Sequence, residues 1–465
     1  IKVASNVASQ TLTLADNANV LLASDITTAI AVAGKNADYK VNLSTGDDTN
    51  ASGAIIDITT GTLTASSNLK TVNIDATTGK LTMSTATTLD TTATLNVSGT
   101  KDVALATVTA KEVNAASSTG KITMTTGNAA LTKITTGSGN DDVTVDKNVK
   151  YTVDLGEGTN KLTITSAVAT DGGSFTTGSG DDTIELQNTA ANVIVTGGGN
   201  DTVNVASNTA IDSVIVMGDG TSDKLAFTST ADLDLKGKSN FAVTGVEIID
   251  VSAVTGAVIF SATQFAQDNT FKLSGNATDL TANTDRLKVI NTSTTAGATI
   301  DASNVTFDST QAATLVLQGA ALLKDTITGS AKNDLIIATT GGDTIDGGAG
   351  IDTYDASALQ AAAVEGAGTG TSSGVVINLG TSAITNTTIL GAGVGYTADT
   401  ITSVAANTVA YVFASAASTN SAVTSSIVNV ENVIGTSGND YIVGSASDNV
   451  ITGGTGADTL TGGAG

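Results

Sequence analysis

The residues of this chain with the most chemical potential are carboxylates set among glycines at a fixed spacing. Residues 329–355 divide into three nine-residue units whose sixth positions are Asp334, Asp343 and Asp352, and residues 435–461 divide likewise with Asp440, Asn449 and Asp458. Gly329, Gly347, Gly435 and Gly453 open four of these units, Gly350, Gly438 and Gly456 hold fourth positions, and the eighth position is Ile, Leu or Tyr. Glycine reaches backbone angles closed to other residues, so such a turn can curl and aim carbonyl oxygens inward. The Asp adds a carboxylate to the same concavity, and the eighth side chain points into a core and fixes the register. If successive units turn at opposite edges, stacked partners lie two units apart, which predicts Asp334 beside Asp352 and Asp440 beside Asp458. Carboxylates one strand spacing apart repel by ~0.8 kcal/mol even at water's dielectric, and by more when desolvated. A hard dication with a flexible oxygen shell removes that repulsion. Calcium fits, accepting about 6–8 oxygens at about 2.3–2.6 Å, whereas magnesium demands a near-ideal octahedron. Zinc prefers nitrogen or sulfur ligands, and the chain has no His and no Cys.

A second set of turns carries a partial version of the same pattern. Gly137-Ser-Gly-Asn-Asp141, Gly178-Ser-Gly-Asp-Asp182 and Gly197-Gly-Gly-Asn-Asp201 place an Asp at the ligand position, Gly156-Glu-Gly-Thr-Asn160 places an Asn, and the turn ending at Asp223 is one residue longer. A column of acids on one edge again favours calcium. The competing reading is a solvated ladder of Asp and Asn side chains that only caps turns. Earlier turns put Lys80, Lys101 and Lys121 after the glycine and are expected to hold no ion.

The elements that must position these turns are short strands. Turn glycines at 79, 99, 120, 139, 158, 180, 199 and 220 recur at steps of 19 to 22 residues, with alternating runs such as Tyr151-Thr-Val-Asp-Leu155 between them. Alternation is the strand signal, and one turn per such step suits a parallel β-solenoid whose coils stack about 4.8 Å apart. An evenly spaced β-sandwich is the competing architecture. The expected fold is all-β, a parallel β-solenoid or β-roll with stacked calcium-binding turns, interspersed with further β segments. Its expected parts are an N-terminal β segment (1–60), a solenoid of coils of roughly 20 residues (61–225), a β-rich segment (226–324), a first calcium block (325–357), an intervening β-rich segment with long loops such as 366–370 (358–434), and a second block (435–465). Val246 to Val251 reads as a buried strand, and a helical turn is expected near residues 261–267.

Composition narrows the function classes. The chain has 50 Gly, no Pro, no Trp and 3% aromatics. Proline cannot donate to a sheet ladder, so its absence suits a chain of strands and tight turns. With 20 basic and 44 acidic residues the formal charge is −24, which argues against nucleic acid and anionic lipid partners. No apolar stretch approaches the ~18 residues of a transmembrane segment. Without His, the usual catalytic triads and zinc-protease motifs are absent. Paired carboxylates could cleave glycosides, but the acids sit in repeated turns, and Arg286 is the only arginine. The expectation is a non-enzymatic chain. The start at Ile1 and the stop within a glycine motif read as cut ends.

The two nonapeptide blocks resemble the haemolysin-type calcium-binding repeats of RTX proteins, with the pattern Gly-Gly-x-Gly-x-Asp-x-apolar-x. Residues 347–355 and 453–461 carry it throughout, and residues 432–440 are similar to the lead-in found before such repeats. Departures are Lys332 for the fourth glycine, Ala338-Thr339 for the first pair, and Asn449 for Asp. The resemblance implies one-step type I secretion from a Gram-negative cell and folding outside, where calcium becomes folding energy. The acidic, Cys-free, Pro-free, Thr/Ala/Val-rich chain is most similar to RTX-type surface-layer (S-layer) proteins. These build calcium-dependent two-dimensional lattices by self-association and attach to lipopolysaccharide through a separate region not seen in this chain. An RTX adhesin or biofilm-matrix scaffold is the alternative, and the calcium-binding part of a secreted hydrolase a third.

Overall fold

Apolar residues at a period of two send one edge of each strand inward, and the Thr, Asn and Asp residues between them face out. A computed structural model describes residues 2–3, 10–22, 30–34, 39–45, 58–65, 69–165, 172–188, 190–206, 212–267, 269–275, 286–308, 314–359, 373–385, 403–414 and 420–465. The described chain is all-β apart from a single-turn helix at Ala262–Phe265, which is closed by a capping box between Ser261 and Gln264. No described helix is long and apolar enough to cross a membrane. Two units are present, Ile1–Thr228 with Lys238–Ile248, and Ser229–Gly237 with Ile249–Gly465.

In the first unit successive strands alternate between two parallel walls. One wall is a 12-stranded sheet running in order from Lys2–Val3 to Ala242–Thr244, and the other takes the intervening strands from Gln10–Leu14 to Lys224–Ser229. This is a parallel β-solenoid, one strand per wall in each coil. Registers put like on like. Val113, Ile134, Val153, Phe175, Ile194 and Ile215 form one buried column, and Val143, Leu162, Ile184, Val203 and Leu225 another. Outside, an amide ladder runs from Asn96 to Asn73 to Asn42 to Asn19, with bonds of 2.7–2.9 Å. The parallel pairing is already present at the strands Ala18–Leu22 and Tyr39–Thr45, ahead of the first glycine marker.

The second unit keeps the coil but interrupts one wall. One sheet is parallel throughout, passing through Arg286–Ile290, Thr314–Gln318, Asp334–Ile337, Thr353–Asp355, Asn432–Ile434 and Ile451–Thr452. Its core column is Val289, Leu317, Ile336, Tyr354 and Val433. On the opposite wall Thr344–Asp346 pairs parallel with Asn420–Val428, which then pairs antiparallel with Thr408–Ala414, and that strand pairs antiparallel with Ser373–Asn378 before the parallel order resumes at Asn439–Val443. The two nonapeptide blocks therefore follow one another directly on one wall, while the other is extended by an inserted pair of strands. The buried Tyr411 hydroxyl ties the insert to Thr339 O at 3.0 Å. The glycine-rich run 366–370 lies outside the described residues.

Candidate metal-binding turns

The later coils of the first unit enter their second wall through turns that end in a buried Asp or Asn: Asp141, Asn160, Asp182, Asp201 and Asp223. These residues form a ladder along the edge of the stack. The backbone N–H of Asp141 donates to Asn160 Oδ1 (2.9 Å), Asn160 N–H to Asp182 Oδ1 (2.7 Å), Asp182 N–H to Asp201 Oδ1 (2.8 Å), Asp201 N–H to Asp223 Oδ1 (2.7 Å) and Asp223 N–H to Glu247 Oε2 (2.9 Å). Ile122 N–H starts the series on Asp141 Oδ1 at 2.6 Å. Asp141, Asp182, Asp201 and Asp223 are all fully buried, and the Oδ2 atom of each has no hydrogen-bond partner. The neighbouring Thr136 and Thr177 hydroxyls give their protons to Leu155 O (2.7 Å) and Thr196 O (3.0 Å).

The nonapeptide turns of the second unit repeat this ladder with an 18-residue step. Asp334 N–H donates to Asp352 Oδ1 at 2.8 Å, and Asp440 N–H to Asp458 Oδ1 at 2.9 Å, the two stackings expected from the period. Position one explains its glycine by space. A Cβ on Gly329 or Gly347 would meet Oδ2 of Asp334 or Asp352 at 2.7 Å and overlap a carbonyl of the next coil, Gly347 O or Asn429 O. Gly435 and Gly453 face Asp440 and Asp458 in the same way. Gly350 and Gly456, with φ of +136° and +130°, sit in the left-handed region that L side chains avoid. Gly438 does not.

Two kinds of turn emerge. Where position two is Ser or Thr, its hydroxyl bonds the sixth side chain: Ser330 Oγ to Asp334 Oδ2 (2.9 Å), Thr339 Oγ to Asp343 Oδ2 (2.8 Å), Thr436 Oγ to Asp440 Oδ1 (2.8 Å), and Ser445 Oγ receiving Asn449 Nδ2 (3.0 Å). Where position two is glycine, at Gly348 and Gly454 with φ of +96° and +94°, there is no hydroxyl to offer. Asp352 is then fully buried with Oδ2 unpartnered, while Asp458 is partly exposed.

Burial sets the electrostatics. It pushes the carboxyls of Asp182 and Asp352 up to about 7 and those of Asp334 and Asp343 up to about 6, against 3.8 ordinarily, and it raises Asp141, Asp223 and Asp440 as well. An ionised carboxylate there needs a positive partner or full hydrogen bonding. Among the described residues no three Asp, Glu, His or Cys side chains converge on one point. An ion held in these turns would draw most of its ligands from backbone carbonyls around one orphaned carboxylate oxygen. That donor set is all oxygen and fits calcium.

Three members of these ladders are not marked by the glycine pattern. Asp325 precedes Asp343, donating its N–H to Asp343 Oδ1 at 2.9 Å, and its own carboxylate is held by Asn291 Nδ2, Ala298 N and Ala320 N. Glu431 follows Asp352, accepting its N–H at 3.0 Å, and Glu247 follows Asp223. The 18-residue step connects 325 to 343 and 431 to 449, so the period contained a signal for two of them. Nothing periodic points to Glu247.

A family model for haemolysin-type sequences matches residues 188–207, 323–354 and 434–465, in four copies. These are RTX calcium-binding nonapeptide repeats. The first matched stretch includes Asp201, so the RTX signature extends into the 20-residue coils of the first unit as well as both nonapeptide blocks. RTX repeats are typical of secreted calcium-binding proteins. No curated protein and no solved structure matches the chain.

Proposed function

We propose that this chain is a structural component of a Gram-negative cell surface, an S-layer protein or its assembly domain, secreted by a type I route and stiffened by calcium in its RTX turns. Asp352 and Asp458 in the nonapeptide blocks, and Asp141, Asp182, Asp201 and Asp223 in the longer coils, contribute the carboxylates. The single observation that carries the calcium reading is the set of buried, unpartnered Oδ2 atoms on Asp141, Asp182, Asp201, Asp223 and Asp352. Each is a negative group removed from water with nothing opposite it, which an oxygen-seeking dication neutralises. The lattice reading is supported by the acidic, proline-free composition and by the unlike coils, which differ from the tandem identical domains of an adhesin. Calcium-dependent self-association forms the sheet, and lipopolysaccharide is the surface partner this reading implies. Catalysis forms no part of this reading.

The test is electron microscopy of purified chain with calcium and with EGTA. Ordered sheets that form with calcium and disperse with chelator support the S-layer reading. Isolated rods point instead to an adhesin or matrix scaffold. Material that looks and associates the same in both conditions overturns the calcium dependence.

A further inference from the structure

Asn160 interrupts the acid ladder of the first unit, and its contacts differ from those of its neighbours in an informative way. Its Oδ1 does what each Asp Oδ1 does, accepting the N–H of the preceding rung, Asp141, at 2.9 Å. Its Nδ2 then faces three backbone carbonyls, Thr177 O at 2.8 Å, Gly158 O at 3.2 Å and Glu157 O at 3.4 Å. The assignment of the two amide atoms is fixed by these partners, since only a donor suits a point ringed by carbonyl oxygens. Asn160 is itself buried. The two carbonyls from its own turn come from the third and fourth positions, and the remaining one opens the turn of the next coil.

In the rungs on either side the ladder bond orients the carboxylate alike, through Oδ1. The atom corresponding to the Asn160 nitrogen is then the Oδ2 of Asp141, Asp182 and Asp201, which is buried and unpartnered in each. Those carboxylate oxygens have no hydrogen bond to offset their burial, whereas the Asn160 nitrogen is held by three carbonyls. The same turn therefore calls for a cation when its sixth residue is Asp and supplies its own hydrogen-bond donor when that residue is Asn.

We infer that the Asn160 amide is a built-in substitute for a calcium ion, so that the turn 155–160 closes without metal and divides the loaded column into a site at Asp141 and a run of sites from Asp182 onward. This rests on the calcium reading proposed above and assigns which turns of the longer coils take the ion. Asn160→Asp converts a closed turn into an open one. Asp182→Asn does the reverse.

Native mass spectrometry of the full chain counts bound calcium, and thermal unfolding in EGTA reports the metal-free state. Asn160→Asp is expected to bind one more ion than the parent chain, to melt lower in EGTA, and to recover with calcium. Asp182→Asn is expected to bind one ion fewer and to melt higher in EGTA. Should Asn160→Asp fail to fold, Asp182→Asn alone decides, because it replaces an unpartnered charge by a group the cradle can hold. Unchanged ion counts in both variants, with a parent chain that binds calcium, overturn the inference. A parent chain that binds none overturns the calcium reading itself, and the EGTA melts then still test whether the amide suits the cradle better than the carboxylate.

Discussion

The backbone N–H of Asp334 donates to Oδ1 of Asp352, 18 residues and one coil further on, at 2.8 Å. This bond makes the repeat period a physical object, since Asp343, Asp352 and Asp458 each hold the N–H of the residue 18 positions earlier, in the adjacent coil. Asp352→Ala removes the acceptor and leaves a buried donor unsatisfied, which typically costs about 1–3 kcal/mol. Chemical denaturation in EGTA is expected to show that loss, offset in part because the substitution also removes a buried carboxylate. Asp352→Asn keeps an acceptor while removing the charge, and is expected to be more stable than the parent under the same conditions.

The position-one glycines make a separate prediction. Gly347→Ala brings a methyl group against Asp352 Oδ2 and the Asn429 carbonyl, where a Cβ has no room. The backbone of a stacked coil yields little, so the variant is expected to unfold at lower denaturant than the parent. Gly237→Ala is the control, because nothing lies within 4 Å of its Cβ and its φ is not positive. Replacing Gly by Ala at a compatible site stabilises by about 0.4–1 kcal/mol through the unfolded chain, so this variant is expected to match or exceed the parent.

Metal-free stability should depend on pH with a definite sign. Asp182 and Asp352 titrate near 7 in the folded chain, and Asp334 and Asp343 near 6, against 3.8 ordinarily. Between pH 4 and 7 the folded state therefore binds more protons than the unfolded state, and stability falls as pH rises through that window. In EGTA the midpoint of urea unfolding is expected to be higher at pH 5 than at pH 7.5. Calcium competes for the same oxygens, so its stabilising effect is expected to grow over the same interval. A midpoint that rises with pH in EGTA would contradict the burial of these groups.

The hairpin insert is expected to be held partly by one bond. Tyr411→Phe keeps the buried ring and loses the hydroxyl that reaches Thr339 O, and a neutral bond of this kind is worth roughly 0.5–1.5 kcal/mol net. Hydrogen exchange at the amides of residues 408–411 should accelerate in this variant, with exchange in the first unit unchanged.

Much of this architecture was legible because the repeats carry their own ruler. Glycines at 139, 158, 180 and 199 mark turns that the structure places over one another, and the nonapeptide period located the Asp334–Asp352 and Asp440–Asp458 contacts without any coordinates. The ruler failed where turns do without glycine. The early coils around Ala18–Leu22 and Tyr39–Thr45 turn at Asp16 and Asn17, with Asn17 at a φ of +56° and Lys40 N–H on Asp16 Oδ1 at 2.9 Å. That bond runs from the later coil back to the earlier one, opposite in direction to the Asp ladder, in a turn with no glycine to announce it. The strand pair inserted between Asp346 and Asn439 has no period, and its place in the wall depends on long-range pairing that local alternation does not encode. Asn160 was visible as an Asn for an Asp, but only the three carbonyls around its amide give that exchange a meaning.

The most direct measurement is the thermal unfolding of the intact chain at pH 7.5, followed by circular dichroism in saturating calcium and in excess EGTA. An ion that binds only the folded turns adds about 2.7 kcal/mol per site at a hundredfold excess over its Kd, so the account predicts a large upward shift of the transition with calcium and its reversal by chelator. Superimposable curves in the two conditions would contradict it.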